Sequence, residues 1–447
     1  MRSDNKLRQP MVVLAVACLT AACTVGPSYK APHENAPAVW ITAEETFAPT
    51  AEVLSDWWST FDDPLLTHLL ERAVESNHDL RIAAARVREA RALRRAARSQ
   101  HLPRIGASAD ATRFRLSENG VGAGSAAAAQ GLIEQEDDFF QAGFDASWEI
   151  DVFGGTRRAL EGAAARVEAI EHDRRQTLLS ILAEVARAYI ELRGSERRLA
   201  VAEDNLRIQR ESLERVESKV EAGLARRLDA QQARAQLEAT RSAIPTFQAV
   251  RRTEAYRLAV LLGEAPGALA SELANAAPVP VPPSAVALGL PSELLRRRPD
   301  VRAAERRLAA ATADIGVAVA DLYPRFVLSG AAGRESGALS DLFSAGSGTW
   351  LLRPAIQWSV FQGGRIRANI QAVEARSEAA LARYERTVVL AIEEAEAALV
   401  RHARQQETRQ SLEEAVGASR RAVELADVLY RRGLADYLTV LDVTCSP

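Results

Sequence analysis

From Phe139 to Arg158 the chain reads FFQAGFDASWEIDVFGGTRR. Phe140, Ala142, Phe144, Ala146, Trp148 and Ile150 alternate with Gln141, Gly143, Asp145, Ser147, Glu149 and Asp151. Successive strand side chains point to opposite faces, so period two predicts a strand with one apolar face. Gly154 and Gly155 follow, and then comes a charged run without proline from Thr156 to Ala222. A glycine pair lets the backbone swing from strand into helix without a Cβ clash. The run is predicted to be one helix, with Leu178, Val185, Leu192, Leu199, Leu206, Leu213 and Val220 as a seven-residue packing seam. At 1.5 Å per residue it extends roughly 100 Å, too far for one compact globule.

The phrase recurs. RPAIQWSVFQGGRIR, residues 353–367, sets Pro354, Ile356, Trp358 and Val360 against Arg353, Ala355, Gln357 and Ser359, then gives Gly363 and Gly364 and a second long run, Arg365 to Arg432. The segment from Asn77 to Ser108 aligns with that from Arg298 to Ser329 at a shift of 221. Gly154–Gly155 fall on Gly363–Gly364 at a shift of 209, and EAGLARRL (Glu221 to Leu228) falls on RRGLADYL (Arg431 to Leu438) at 210. Ordered anchors at nearly constant spacing identify an internal duplication. Each half is predicted to run helix, strand, loop, strand, long helix, turn, helix. Gly223 and Gly433 are expected to end the long helices at their far turns. The boundaries are 1–22 signal peptide, 23–63 N-terminal segment, 64–263 first repeat, 264–290 a proline-rich extended linker, and 291–447 second repeat. Against the first repeat as ruler, the second stops short: only fourteen residues follow Gly433, so its final helix is expected to be truncated.

Four strands per chain cannot close a barrel, and open edges do not survive in hydrocarbon. Three copies would supply twelve, so the fold class is a mixed α and β membrane protein. It is a trimeric 12-stranded β-barrel with four strands per chain, continued by a long α-helical barrel.

At the N-terminus, Arg2, Lys6 and Arg8 precede the apolar MVVLAVACLTAAC, too short for a transmembrane helix and built like a secretory signal. Ala21 and Ala22 lead into Cys23, which resembles a bacterial lipoprotein acceptor; Thr20 stands where such sites usually carry Leu. Cleavage would remove Cys18 and leave Cys23 and Cys445, so acylation of Cys23 leaves no intrachain disulfide. A net charge of −3, with arginine dispersed among Glu and Ala and only Lys6, Lys30 and Lys219 as lysines, describes solvated helix faces rather than a nucleic-acid surface. The six histidines are scattered, with no HExxH, and Glu393–Glu394 reads as a solvated pair, so neither an enzyme nor a metal site is expected.

CTVGPSYKAP, DWWSTFDDPLLTHLLERAVESNHDL, FDASWEIDVFGG, LPSELLRRRPDVRAAERRLAAATADIGVAVADLYPRFVLSG and YRRGLADYLTVLD together resemble the outer-membrane efflux lipoproteins of the TolC/OprM type, NodT subfamily. The resemblance runs from Cys23 to Asp442. It implies a homotrimeric exit duct of a tripartite efflux pump in the outer membrane, lipid-anchored at Cys23 and extending into the periplasm. Its partners would be a periplasmic adaptor and an inner-membrane transporter of the resistance-nodulation-division type, with no cofactor beyond the covalent lipid. By alignment it assigns the periplasmic gate to Tyr430, Arg431, Leu438 and Asp442. The family continues after Leu-Asp with Ala-Gln-Arg, whereas this chain reads LDVTCSP, so the expected arginine is Cys445. As written the chain is expected to be a poor channel. A periplasmic coiled-coil adaptor is the alternative that the long helices would also suit.

Overall fold

The computed structural model describes residues 24–32, 37, 39–41, 56–117, 127, 130–131, 134–282, 290–432, 434–435 and 439. In chain order the helices and strands are α1 (Pro64–Ser76), α2 (His78–Ser99), β1 (Arg104–Arg115), β2 (Glu136–Ile150), α3 (Gly155–Glu221), α4 (Arg227–Leu261), α5 (Pro291–Arg297), α6 (Pro299–Ala320), β3 (Arg325–Ser336), β4 (Gly348–Gln357) and α7 (Arg365–Arg431). Both α3 and α7 are 67 residues long. The chain divides into two compact units. One gathers Met1–His33, Arg86–Glu171 and Ala303–Glu385; the other gathers Glu34–Ala85, His172–Arg302 and Arg386–Pro447. Each unit therefore draws on both duplicated halves, and the halves are interleaved rather than separate globules.

In the first unit β1-β2-β3-β4 form one antiparallel sheet with β1 and β4 at its edges. The duplication is carried in the side chains. Trp148 Nε1 donates to the His101 carbonyl and Trp358 Nε1 to the Leu322 carbonyl, each at 3.0 Å. The sequence shift of 209 for the glycine pair needs a correction. Gly154 and Gly364 share the left-handed turn, with φ of 82° and 86°, and each accepts the first helical bond, from Arg158 N and Ala368 N. The spacing is thus 210, as in the strands, and Gly363 (φ 56°) has Phe153 as its counterpart. Gly155 begins α3, where a Cβ would stand 3.0 Å from that of Ala320.

The second unit is helical. The main core joins Leu66, Leu69 and Leu70 of α1, Val185, Tyr189 and Leu192 of α3, Leu258 of α4, and Leu262 just after α4. Asp63 starts α1 by accepting from Leu65 N and Leu66 N, with Pro64 occupying a position where no N–H is needed. Every member of the predicted seam on α3 is buried or half-buried. The linker is only partly extended. Leu269 and Leu273, one helical turn apart, are 1% and 4% exposed and complete the core, because two leucines so spaced bury together when the chain turns.

Candidate functional site

The sheet has two unlike faces. Residues opposite each other in an antiparallel pair share a face, so the register places Ile105, Ala107, Ala109, Phe140, Phe144, Trp148, Phe326, Leu328, Trp350, Leu352 and Ile356 together. In the single chain Phe144, Ile105, Trp350, Leu352 and Ile356 are all more than 60% exposed. The other face carries Arg104, Asp110, Asp145, Ser147, Glu149, Ser329, Glu335 and Arg353. Toward the loops the apolar face ends in charge: Arg113 and Arg115 lie beside Glu136, and Arg113 beside Asp138. A broad apolar surface on a two-edged sheet is not stable in water; it suits hydrocarbon if the edges are closed. Among the described residues no helix is long and apolar enough to cross a membrane.

In the same unit, the residues just after Cys23 are tightly held, while Cys23 itself lies outside the described residues. Val25 N donates to Phe153 O at 3.1 Å. Arg158, 5% exposed, donates to Val25 O (3.2 Å), Gly26 O (3.3 Å) and Ser28 Oγ (3.2 Å). Gly26 has φ of 83° and lies so close to Gly316 that a Cβ would come within 2.5 Å of its Cα. Tyr29 donates to Glu305 Oε1 at 3.1 Å under the Arg306 guanidinium.

In the second unit the far ends of α3 and α7 close alike. Leu224 N donates to Lys219 O (2.7 Å) and Leu434 N to Leu429 O (2.9 Å), the six-to-one bond of a Schellman ending, and Gly223 supplies the left-handed residue with φ of 76°. Tyr430 packs on Leu213, Val216, Ala230, Ala233 and Leu237, and the Lys219 ammonium sits 4.0 Å from its ring centroid. Of the other assigned tip residues, Arg431 closes α7 but its side chain lies outside the described residues, as do Gly433, Leu438 and Asp442.

Both halves of the chain, residues 69–264 and 290–446, match the family described as outer membrane efflux protein. The chain belongs to that family. Proteins with similar sequences include nodulation protein T of Rhizobium leguminosarum bv. trifolii, 30% identical over 95% of this chain and 88% of its own. The probable efflux pump outer membrane protein SepC of Pseudomonas putida is 32% identical over 96% and 89%. Among solved structures the outer-membrane channel OprN superposes with a TM-score of 0.87 at 39% identity, covering 94% of this chain and 92% of its own. CusC superposes at 0.78 with 27% identity over 94% and 92%. These likenesses support the outer-membrane duct rather than the periplasmic adaptor.

Two features of this efflux protein escaped sequence reading. Arg158 is one arginine among many, and only the small-residue phrase TVGPS marks what it holds. Lys219 could have been singled out, since the chain otherwise uses arginine for nearly every positive charge. An ammonium concentrates its charge at a point over the tyrosine ring.

Proposed function

We propose that this chain is the outer-membrane exit duct of a tripartite efflux pump. In this reading three copies pool their sheets into a closed twelve-stranded barrel, apolar side to lipid and polar side to the lumen. The observation that carries it is the four-stranded sheet itself, apolar on one face and open at both edges. The α3 and α7 helices continue the passage into the periplasm, where a periplasmic adaptor and an inner-membrane transporter of the resistance-nodulation-division type would meet it. That transporter selects and drives the solute, while the duct conducts it.

Cleavage before Cys23 and acylation of its thiol fasten the chain to the outer membrane. The bonds from Arg158 to Val25 and Gly26 support this, since they hold the residues that follow Cys23 in sequence beside the root of the sheet. Tyr430, Arg431, Leu438 and Asp442 form the periplasmic constriction, and the Lys219–Tyr430 contact suits a closed tip. The test is extraction of the protein from membranes. A heat-sensitive trimer that needs detergent and incorporates labelled palmitate in the wild type but not in Cys23→Ser is expected. A monomer that stays soluble without detergent overturns the reading.

A further inference from the structure

The duplication reaches the outer end of the sheet. Moving β1 by 221 positions and β2 by 210 converts Arg113↔Asp138 into Arg334↔Gly348 and Ala111↔Phe140 into Ala332↔Trp350. Each hairpin thus carries an aromatic ring on its apolar face and an arginine on that same face, one row further out. At the root, the equivalent indoles of Trp148 and Trp358 each donate to a carbonyl. Asp138 and Gly348, opposite the two arginines, precede these tryptophans by ten residues each. Ten residues span roughly 34 Å along a strand, or about 26 Å at a tilt of about 40°. A lipid-facing apolar band between aromatic girdles is about 25 Å tall. With the root indoles at one lipid–water interface, Arg113 and Arg334 therefore reach the other.

The chain does little to neutralise these groups. Arg113 approaches Glu136 at 3.5 Å and Asp138 at 3.9 Å, and Arg115 approaches Glu136 at 3.4 Å, all through exposed side chains. Ion pairs so long and so exposed contribute little. Arg334 donates to the Ser344 carbonyl at 2.6 Å and has no ion pair among the described residues. Its opposite neighbour is Gly348, where the first hairpin has Asp138. The nearby acids Asp137 and Glu335 belong to the polar face. Three guanidinium groups thus share this end of the apolar face with two carboxylates, and most of their N–H donors remain to be used.

We propose that Arg113 and Arg334, assisted by Arg115, bind the phosphate groups of a phosphorylated glycolipid in the outer leaflet. The inference rests on the apolar face meeting lipid, as proposed above, and adds a ligand class for its outer rim. A guanidinium at the edge of hydrocarbon extends toward the headgroups, where its planar fork matches two phosphate oxygens. Its charge attracts anionic headgroups, and the nearby apolar phase strengthens the pair. The acyl chains would lie along Ala111, Phe140, Ala332 and Trp350, one row nearer the root. Because the two hairpins are equivalent, the arginine and its aromatic neighbour are displayed twice per copy at matching heights.

The test titrates the full chain, purified as an oligomer in mild detergent, with bisphosphorylated lipid A or with the same lipid stripped of its phosphates. Bound lipid is counted by native mass spectrometry, and the temperature at which the oligomer dissociates is recorded. The wild type is expected to retain the phosphorylated lipid and to dissociate at a higher temperature with it, and to do neither with the stripped lipid. Arg113→Gln with Arg334→Gln is expected to weaken binding of the phosphorylated lipid at least about tenfold. Arg104→Gln with Arg353→Gln, which removes the same charge from the polar face, should bind as the wild type does. Equal retention of the two lipids by the wild type overturns the proposal, and this comparison holds even if the Arg113 and Arg334 variant fails to assemble. An assembled variant that binds undiminished overturns it as well. So does millimolar inorganic phosphate that raises the dissociation temperature as far as the lipid does, since the site would then serve free phosphate. In all three cases the oligomeric duct stands. If the wild type is instead a monomer soluble without detergent, the duct reading falls and the lipid site with it.

Discussion

Arg193 is 1% exposed, yet it carries a full charge inside the helical core. Its Nη1 donates to Glu196 Oε2 at 2.7 Å and to the Asn275 carbonyl at 3.0 Å, and its guanidinium lies 5.0 Å from the Tyr189 ring. Tyr189 in turn donates to Asp63 Oδ2 at 2.8 Å, the carboxylate that starts α1. Arg251 Nε approaches the other Glu196 oxygen at 3.3 Å. The network ties the start of α1, the middle of α3 and the linker to one another. Burying such a pair is costly, but breaking it costs more, because a lone charge is then left in apolar surroundings. Glu196→Ala is expected to lose about 3–5 kcal/mol in thermal or denaturant melts followed by circular dichroism, and Arg193→Met with Glu196→Leu substantially less. A single substitution milder than the double one would mean that the pair is not the strain-bearing feature. Nothing in the sequence singled out Arg193 among its neighbours, since burial of a charge depends on what packs over it. Here the linker takes part through the Asn275 carbonyl, in a segment whose prolines masked its leucines.

At the scale of elements, α6 and α7 are joined through a charge pair. Arg298 donates to Asp300 Oδ2 (2.8 Å) at the start of α6 and to Glu394 Oε2 (2.6 Å) on α7. Burial pushes the Asp300 carboxyl up, but the Arg298 bonds outweigh it and hold the group below its ordinary value of 3.8. A depressed carboxylate favours the folded state above its unfolded pKa, and that contribution disappears as the pH falls through the lower folded value. Asp300→Asn is therefore expected to melt below the wild type at pH 6–7. The gap should narrow as the pH falls below 3.8 and close near the bottom of the acid range; a gap that widens in acid would place the stabilisation elsewhere. How much of this level could be read beforehand depends on period and punctuation. The two long helices, the four strands and their repetition were legible because seven-residue and two-residue periods are strong over such lengths. The helix boundary at Asn77 and the helical run through Pro245 were not, because one is set by a side chain taking the backbone bonds of Asp79 and Leu80 and the other overrides the usual breaker. The tip was legible only in part: Gly223 announced its turn, whereas the packing of Tyr430 on α3 and α4 is a tertiary fact with no local signature.

For the whole molecule, the decisive question is which solvent each face of the sheet meets. Phe144 and Ser147 are three residues apart on β2 and point opposite ways. Phe144 is 65% exposed in the isolated chain among other apolar side chains, whereas Ser147 lies between Arg104 and Ser329 on the polar side. If the apolar side lies in lipid, an arginine at Phe144 must be carried into hydrocarbon or drag water after it. The penalty for such a charge is about 2–4 kcal/mol near the bilayer midplane and falls toward either interface. An arginine at Ser147 would stand in the water-filled lumen beside existing charges and lose only a small local repulsion. Phe144→Arg is accordingly expected to lower the temperature at which the oligomer dissociates and the fraction recovered in the outer membrane. Ser147→Arg should leave both near the wild type and change ion selectivity in planar bilayers instead. The reverse ordering, with Ser147→Arg failing to insert and Phe144→Arg inserting normally, would invert the barrel wall. The polar face would then have to meet lipid, at the cost of carrying Arg104, Asp110, Glu149 and Arg353 into hydrocarbon.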